Sequence, residues 1–208
     1  MPTRYPAISL FDRVAEASDF DALYALEAMS NERLREEIGQ IERVPAADRL
    51  FGLGSGPVMA AFTHVNTLGS RFSDGSYGVF YAAKERATAV EETRCHHARF
   101  LAATQQLAMH LPMRLYHVPI QASLHDVRPR QVAFEALHEA QDYSAARAFG
   151  ARMRTAGSAG VVYRSVRHAG GQCVGLFKPR AAGPCLHAAY LLYAWDGQRF
   201  SDIYEKTA

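Results

Sequence analysis

The chain switches between extended and helical hydrophobic patterns in a fixed order, and that order constrains the fold more than any other feature. A β-rich run, YGVFYAA at 77–83, leads straight into a stretch with helical periodicity at about 85–109. Then come the apolar strand PMRLYHVPI at 112–120, a helix at about 144–154, and two apolar strands, AGVVYRS at 159–165 and QCVGLFKP at 172–179. The last extended stretch, 189–205, is broken by Asp196-Gly197, a dipeptide that favours a tight hairpin turn. Helices and strands mix without the strict alternation of a parallel sheet, so an α+β fold of mixed sheets with flanking helices is expected. Upstream, VMAAFTHVN at 58–66 predicts a two-turn helix. Before it, Ser18 and Asn31 can cap short helices carrying Phe20, Leu23, Tyr24 and Leu26, then Leu34, Ile38 and Ile41. Residues 1–44 therefore form an N-terminal helical extension and 45–208 the main domain.

With 208 residues the chain can bury one sizeable core. The excess of 23 basic over 21 acidic residues is too small for an electrostatic footprint on nucleic acid or an anionic membrane. Three cysteines, Cys95, Cys173 and Cys185, lack CxxC spacing and suit a reducing cytoplasm rather than a disulfide framework or a zinc knuckle. Asp12, Arg13 and Glu16 interrupt the apolar run a signal peptide needs, and no run of about 18 apolar residues suggests a membrane span.

Gly52, Gly54 and Gly56 alternate in VPAADRLFGLGSGP at 44–57, which raises the question of a phosphate cradle. No strand precedes them, no Lys-Ser/Thr follows, and Pro57 interrupts the expected helix start. A mobile loop, at a pocket mouth, is the alternative.

Two blocks carry chemistry: GSRFSDGSYGVFYAAKERATAVEE at 69–92 and AGVVYRSVRHAGGQCVGLF at 159–177. They hold an Arg-aromatic pair (Arg71, Phe72), a strand-ending Tyr81, a TAxxE helix segment (Thr88 to Glu92) and a Gly-apolar-apolar-Tyr-x-Ser strand ending at Ser165. In order and spacing, over roughly residues 45–205, these pieces resemble the RES family. With AFTH, ending at His64, they are most similar to its ParT-like branch, although Phe72 stands where many members have Trp.

The resemblance implies an ADP-ribosyltransferase-like fold and a bacterial toxin of a toxin-antitoxin module. It implies cleavage of NAD, as substrate, at the nicotinamide-ribose bond, with ADP-ribose passing to water, phosphate or a protein side chain. Catalytic roles fall to Glu92 and Arg71, and NAD contacts to Arg71, Tyr81, Ser165 and, secondarily, His64. The implied partner is an Xre-type antitoxin that covers the NAD pocket.

The residue types suit that chemistry. Bond cleavage leaves positive charge on the ribose, so a carboxylate held near C1′ acts chiefly in the transition state. With about 100° per helical residue, Ala89, Thr93, His96, Phe100, Ala103 and Leu107 form an inward stripe; Glu92 lies roughly 60° from its centre, whereas Glu91, roughly 160° away, should face solvent. Arg71 offers a planar donor set for pyrophosphate or ribose oxygens. Tyr81 and Phe80 point to opposite faces of their strand, and Tyr81 is the one chosen for stacking on a base. Ser165 can orient the glutamate or bind the ligand; without a GxSxG elbow or a paired histidine it is not a hydrolase nucleophile.

Glu92, His96 and His97 lack HExxH spacing and a third ligand, so no metal is expected and His96 reads as a core-edge histidine. Two other readings stay open: a protein-directed mono-ADP-ribosyltransferase, and a non-catalytic module that binds a nucleotide or a partner's tail. The 1–44 extension leaves room for a homodimer, an antitoxin contact or a larger core.

Overall fold

A computed structural model describes residues 2–3 and 39–206. The helices expected after Ser18 and Asn31 lie outside the described residues, apart from Ile41, which is buried in a single 3-10 turn, Ile41–Arg43. Two four-stranded sheets form the framework. The first has the order β1 (Pro2–Thr3), β3 (Met109–His117), β7 (Leu186–Trp195), β8 (Phe200–Lys206), all antiparallel. The second has the order β2 (Phe80–Ala83), β6 (Gln172–Leu176), β5 (Gly160–Arg164), β4 (His125–Asp126), antiparallel except for the parallel β4–β5 pair. Helix α1 is Gly56–Thr63, α2 is Arg86–Ala103, α3 is Val132–Glu135 and α4 is Ser144–Thr155. The α+β expectation therefore holds, and the β7–β8 hairpin turns where expected: Gly197 takes φ +102°, and the Asp196 carboxylate accepts the Gln198 and Arg199 N–H groups at 2.8 and 2.7 Å. Among the described residues no helix is long and apolar enough to cross a membrane.

Helix α1 corrects the reading of Pro57. The proline sits inside the first helical turn, where its missing N–H has no intrahelical partner to lose and its fixed φ suits the helix. Val58, Met59 and Phe62 then bury against Phe80 and Leu176 of the second sheet and Tyr116 of the first. The glycine loop before it is held by backbone contact with the segment at Cys185. Gly54 adopts φ +82°, accepts the Cys185 N–H at 2.9 Å and lies too close to the Cys185 backbone for any side chain, while Leu53 at the tip is exposed.

Helix α2 serves three surroundings at once. Val90, Ala98 and Leu101 pack on Leu111, Met113, Leu191 and Tyr193 of the first sheet. The core face is thus rotated by roughly 130° from the expected stripe. Phe100 is exposed, the helix ends at Ala103, and Leu107 lies beyond it in solvent. The terminator is Gln105, in the left-handed region at φ +50°, with the Gln106 N–H returning to the Leu101 carbonyl. Ala103 is exposed too, and the other three members of the expected stripe, Ala89, Thr93 and His96, line a cavity instead.

Helix α4 covers the second sheet through Ala146 and Gly150, and Phe72, fully buried, is wedged beneath it with its ring edge-on to Tyr163 at 5.0 Å. A Cβ on Gly150 would collide with the Phe72 carbonyl oxygen. Helix propensity alone favours Gly150→Ala by about 1 kcal/mol. The collision reverses that sign: we expect urea unfolding to show a loss of about 1–3 kcal/mol. A stabilised variant would contradict this packing.

Candidate active site

A cavity of about 400 Å³ opens between β2, α2 and the loop at 66–71, and closes against Tyr143, Tyr163 and Cys173. Larger cavities lie on the other flank of α2 (about 580 Å³) and behind Ser165 (about 510 Å³). The smaller one draws together a carboxylate, two guanidinium groups and three tyrosine rings, and among the described residues Glu92 supplies its only acidic side chain.

Glu92 is fixed from behind. The Ser165 hydroxyl donates to Glu92 Oε1 at 2.6 Å while accepting the backbone N–H groups of Arg167 and His168 at 3.1 and 3.0 Å. With its lone pairs so engaged, the hydroxyl has its proton left to give to the carboxylate. Thr88, four residues before Glu92 and fully buried, completes the attachment: its hydroxyl meets His168 Nδ1 at 2.9 Å. The first and last residues of TAxxE thus both tie α2 to the loop after β5. Ser165 belongs to the cavity behind this bond and not to the lining in front of it, so of the two roles open to it the geometry matches the orienting one. Glu91 does not face open solvent as expected. It pairs with Arg94 at 3.4 Å and lines the cavity on the opposite flank of the helix.

Arg71 is buried. Its Nη1 donates to the Leu137 and Glu139 carbonyls, each at 3.0 Å, and its guanidinium lies 4.5 Å from the Tyr143 ring centroid and 5.9 Å from that of Tyr163. Among the described residues it has no carboxylate partner. A buried cation held only by carbonyls and ring faces favours an incoming anion.

The Tyr81 ring lines the cavity, but its hydroxyl is committed to the loop carrying Arg71, bonding Ser70 Oγ at 2.8 Å and accepting the Phe72 N–H at 2.9 Å. Strand alternation holds, with Phe80 in the core on the other face. His64 is not brought to the cavity. It closes the C-terminus of α1, exposed, with Nδ1 3.2 Å from Thr63 Oγ1. The turn that follows it does reach the cavity, through Asn66, Gly69 and Ser70, but the lining begins at Asn66 and leaves His64 outside.

Several lining residues escaped the sequence reading. Tyr163 was legible in principle, since it alternates with the buried Val161 on β5. Arg99 lies seven residues after Glu92, on the same side of α2, and reaches Gln141 at 2.8 Å. Tyr143 comes from a segment with no local signal. His96, read as a core-edge residue, sits at the exposed rim of the cavity, one turn from Glu92. Burial of its ring, helped by Arg167, Arg99 and Arg71, lowers its pKa despite the opposing pull of Glu92. Among the described residues, no group of three or more His, Cys, Asp or Glu side chains could hold a metal ion.

The RES domain family model matches residues 44–196. The chain belongs to the RES domain family. It is also 26% identical, over 98% of its own length and 84% of the relative's, to the uncharacterized protein y4oC of Sinorhizobium fredii.

Burial keeps two of the lining groups, Tyr81 and Cys173, protonated at high pH. It pushes Tyr81 up to about 12, outweighing its bonds to Ser70 and Phe72, and pushes the Cys173 thiol, which also faces Glu92, up to about 12. These groups keep their protons in the folded chain at pH values where the unfolded chain loses them. Their contribution to stability is therefore complete below pH about 9 and fades as pH rises towards 12. Urea midpoints should fall over pH 9–11, and fall less steeply in Tyr81→Phe; a parallel fall would contradict the burial of that hydroxyl.

Proposed function

We propose that the chain is the toxin of a toxin-antitoxin module and cleaves NAD at the nicotinamide-ribose bond around Glu92. The observation that carries this reading is the Ser165–Glu92 bond, which fixes one carboxylate oxygen and leaves Glu92 at the wall of a cavity that Arg71, Arg99, Tyr81, Tyr143 and Tyr163 also line. Nicotinamide leaves with the electron pair of the C1′–N bond, and the cationic ribose that remains is stabilised by the nearby carboxylate. Arg71 supplies positive charge for the pyrophosphate or ribose oxygens, and the tyrosine rings supply stacking surfaces. ADP-ribose passes to water or phosphate; transfer to a protein side chain uses the same pocket and differs only in what reaches C1′. In this reading the two sheets are an ADP-ribosyltransferase-like core, residues 1–44 are an added extension, and the partner is an Xre-type antitoxin that covers the cavity in a bacterial cytoplasm.

Incubating the purified chain with NAD, in water, with phosphate and with cell lysate, should release nicotinamide. Glu92→Gln should slow release by about 10²–10³-fold, and Ser165→Ala by about 10–100-fold through loss of a hydrogen bond to a charged group. Label transferred to protein only with lysate would assign a protein acceptor. NAD bound without turnover would assign a binding module, and full activity in Glu92→Gln would overturn the mechanism.

A further inference from the structure

Beyond Glu92, the cavity holds, among the described residues, one side chain able to accept a proton near neutral pH, His96. His96 lies four residues after Glu92, so the two share a face of α2, with Cβ atoms about 5–6 Å apart. Neither ring nitrogen of His96 has a hydrogen-bond partner among the described residues, unlike His138, bonded to the Phe134 carbonyl, and His168, bonded to Thr88. The charged groups whose fields act on it are Glu92 and Arg99 on α2 and Arg71 on the loop before β2, all lining the same cavity, and Arg167 on the loop after β5.

Taking cleavage of NAD at Glu92 as given, we infer that His96 is the base that deprotonates the acceptor hydroxyl as it attacks C1′. With water as acceptor, the C1′–N bond breaks and nicotinamide takes its electron pair. Water's oxygen forms the new C1′–O bond, and its proton passes to His96 and then to solvent. NAD and water thus give nicotinamide, ADP-ribose and one proton. Glu92 is poorly placed for this task, because one of its oxygens is tied to Ser165 and its charge is needed on the ribose. Burial of the ring, with Arg167, Arg99 and Arg71 adding to it against the pull of Glu92, disfavours the imidazolium, so the ring is receptive to a proton at pH 7.

The test is nicotinamide release from NAD between pH 5 and 9 by the wild-type chain, His96→Gln and Glu92→Gln, with NAD affinity measured by calorimetry for each. The inference expects the wild-type rate to rise with pH through an ionisation below the ordinary histidine value of 6.5 and then level off. His96→Gln, with unchanged thermal melting and NAD affinity, should lose that ionisation and about 10²-fold in rate. A His96→Gln chain with the wild-type rate and profile would overturn the inference and leave NAD cleavage standing. A wild-type chain that releases no nicotinamide would overturn both.

Discussion

Ser165 is the joint on which the site depends. Its hydroxyl receives two backbone N–H groups of its own loop and donates across to Glu92, so a single oxygen converts loop geometry into carboxylate geometry. A hydroxyl held this way cannot swing, and a carboxylate accepting from it cannot relax into solvent. The loop is in turn fixed to α2 by the Thr88–His168 bond and closed by Gly171, whose N–H returns to the His168 carbonyl and which leaves no room for a side chain beside Thr88. Fixed groups of this kind stabilise charge without reorganising during a reaction.

The opposite wall is organised by cations. Arg71 binds the Leu137 and Glu139 carbonyls, Arg167 reaches the Ala140 carbonyl and the Tyr143 hydroxyl, and Arg99 takes the Gln141 side chain. Three guanidinium groups from three different elements thus gather one short segment, 137–143, over the cavity and set the Tyr143 ring against Arg71. The planar, multidentate guanidinium suits this work, since it can hold backbone carbonyls with some N–H groups while turning others elsewhere. Positive charge collected to build the wall is also the charge an anionic ligand meets on entry.

How much of this was readable in the sequence follows from the range of the interactions. Local patterns located the strands at 80–83, 160–164 and 172–176, the hairpin at Asp196-Gly197 and the helix at 144–155, because alternation and turn chemistry act over a few residues. The end of α2 was misjudged because its terminator is a left-handed Gln105 rather than glycine. Of the expected inward stripe only Ala89, Thr93 and His96 reach an interior surface, and that surface is a cavity with His96 at its exposed rim, while Phe100, Ala103 and Leu107 are exposed; periodicity does not distinguish a core from a cavity. Glu92, Arg71 and Tyr81 were named in advance and do meet at one cavity, whereas His64 does not. Ser165 meets Glu92 from behind rather than from within it. Tyr143 and the arginine-held segment were invisible, because what places them are contacts between residues far apart in the chain.

The central claim is that NAD binds with its nicotinamide riboside beside Glu92. The most direct measurement is a crystal structure of the Glu92→Gln chain grown with NAD, in which slowed cleavage preserves the dinucleotide. The account predicts the ribose against residue 92, the phosphates or ribose oxygens on Arg71, and a base on a tyrosine ring of the same cavity. NAD seated in the cavity lined by Arg94 and Arg199 on the other flank of α2, with residue 92 untouched, would contradict it.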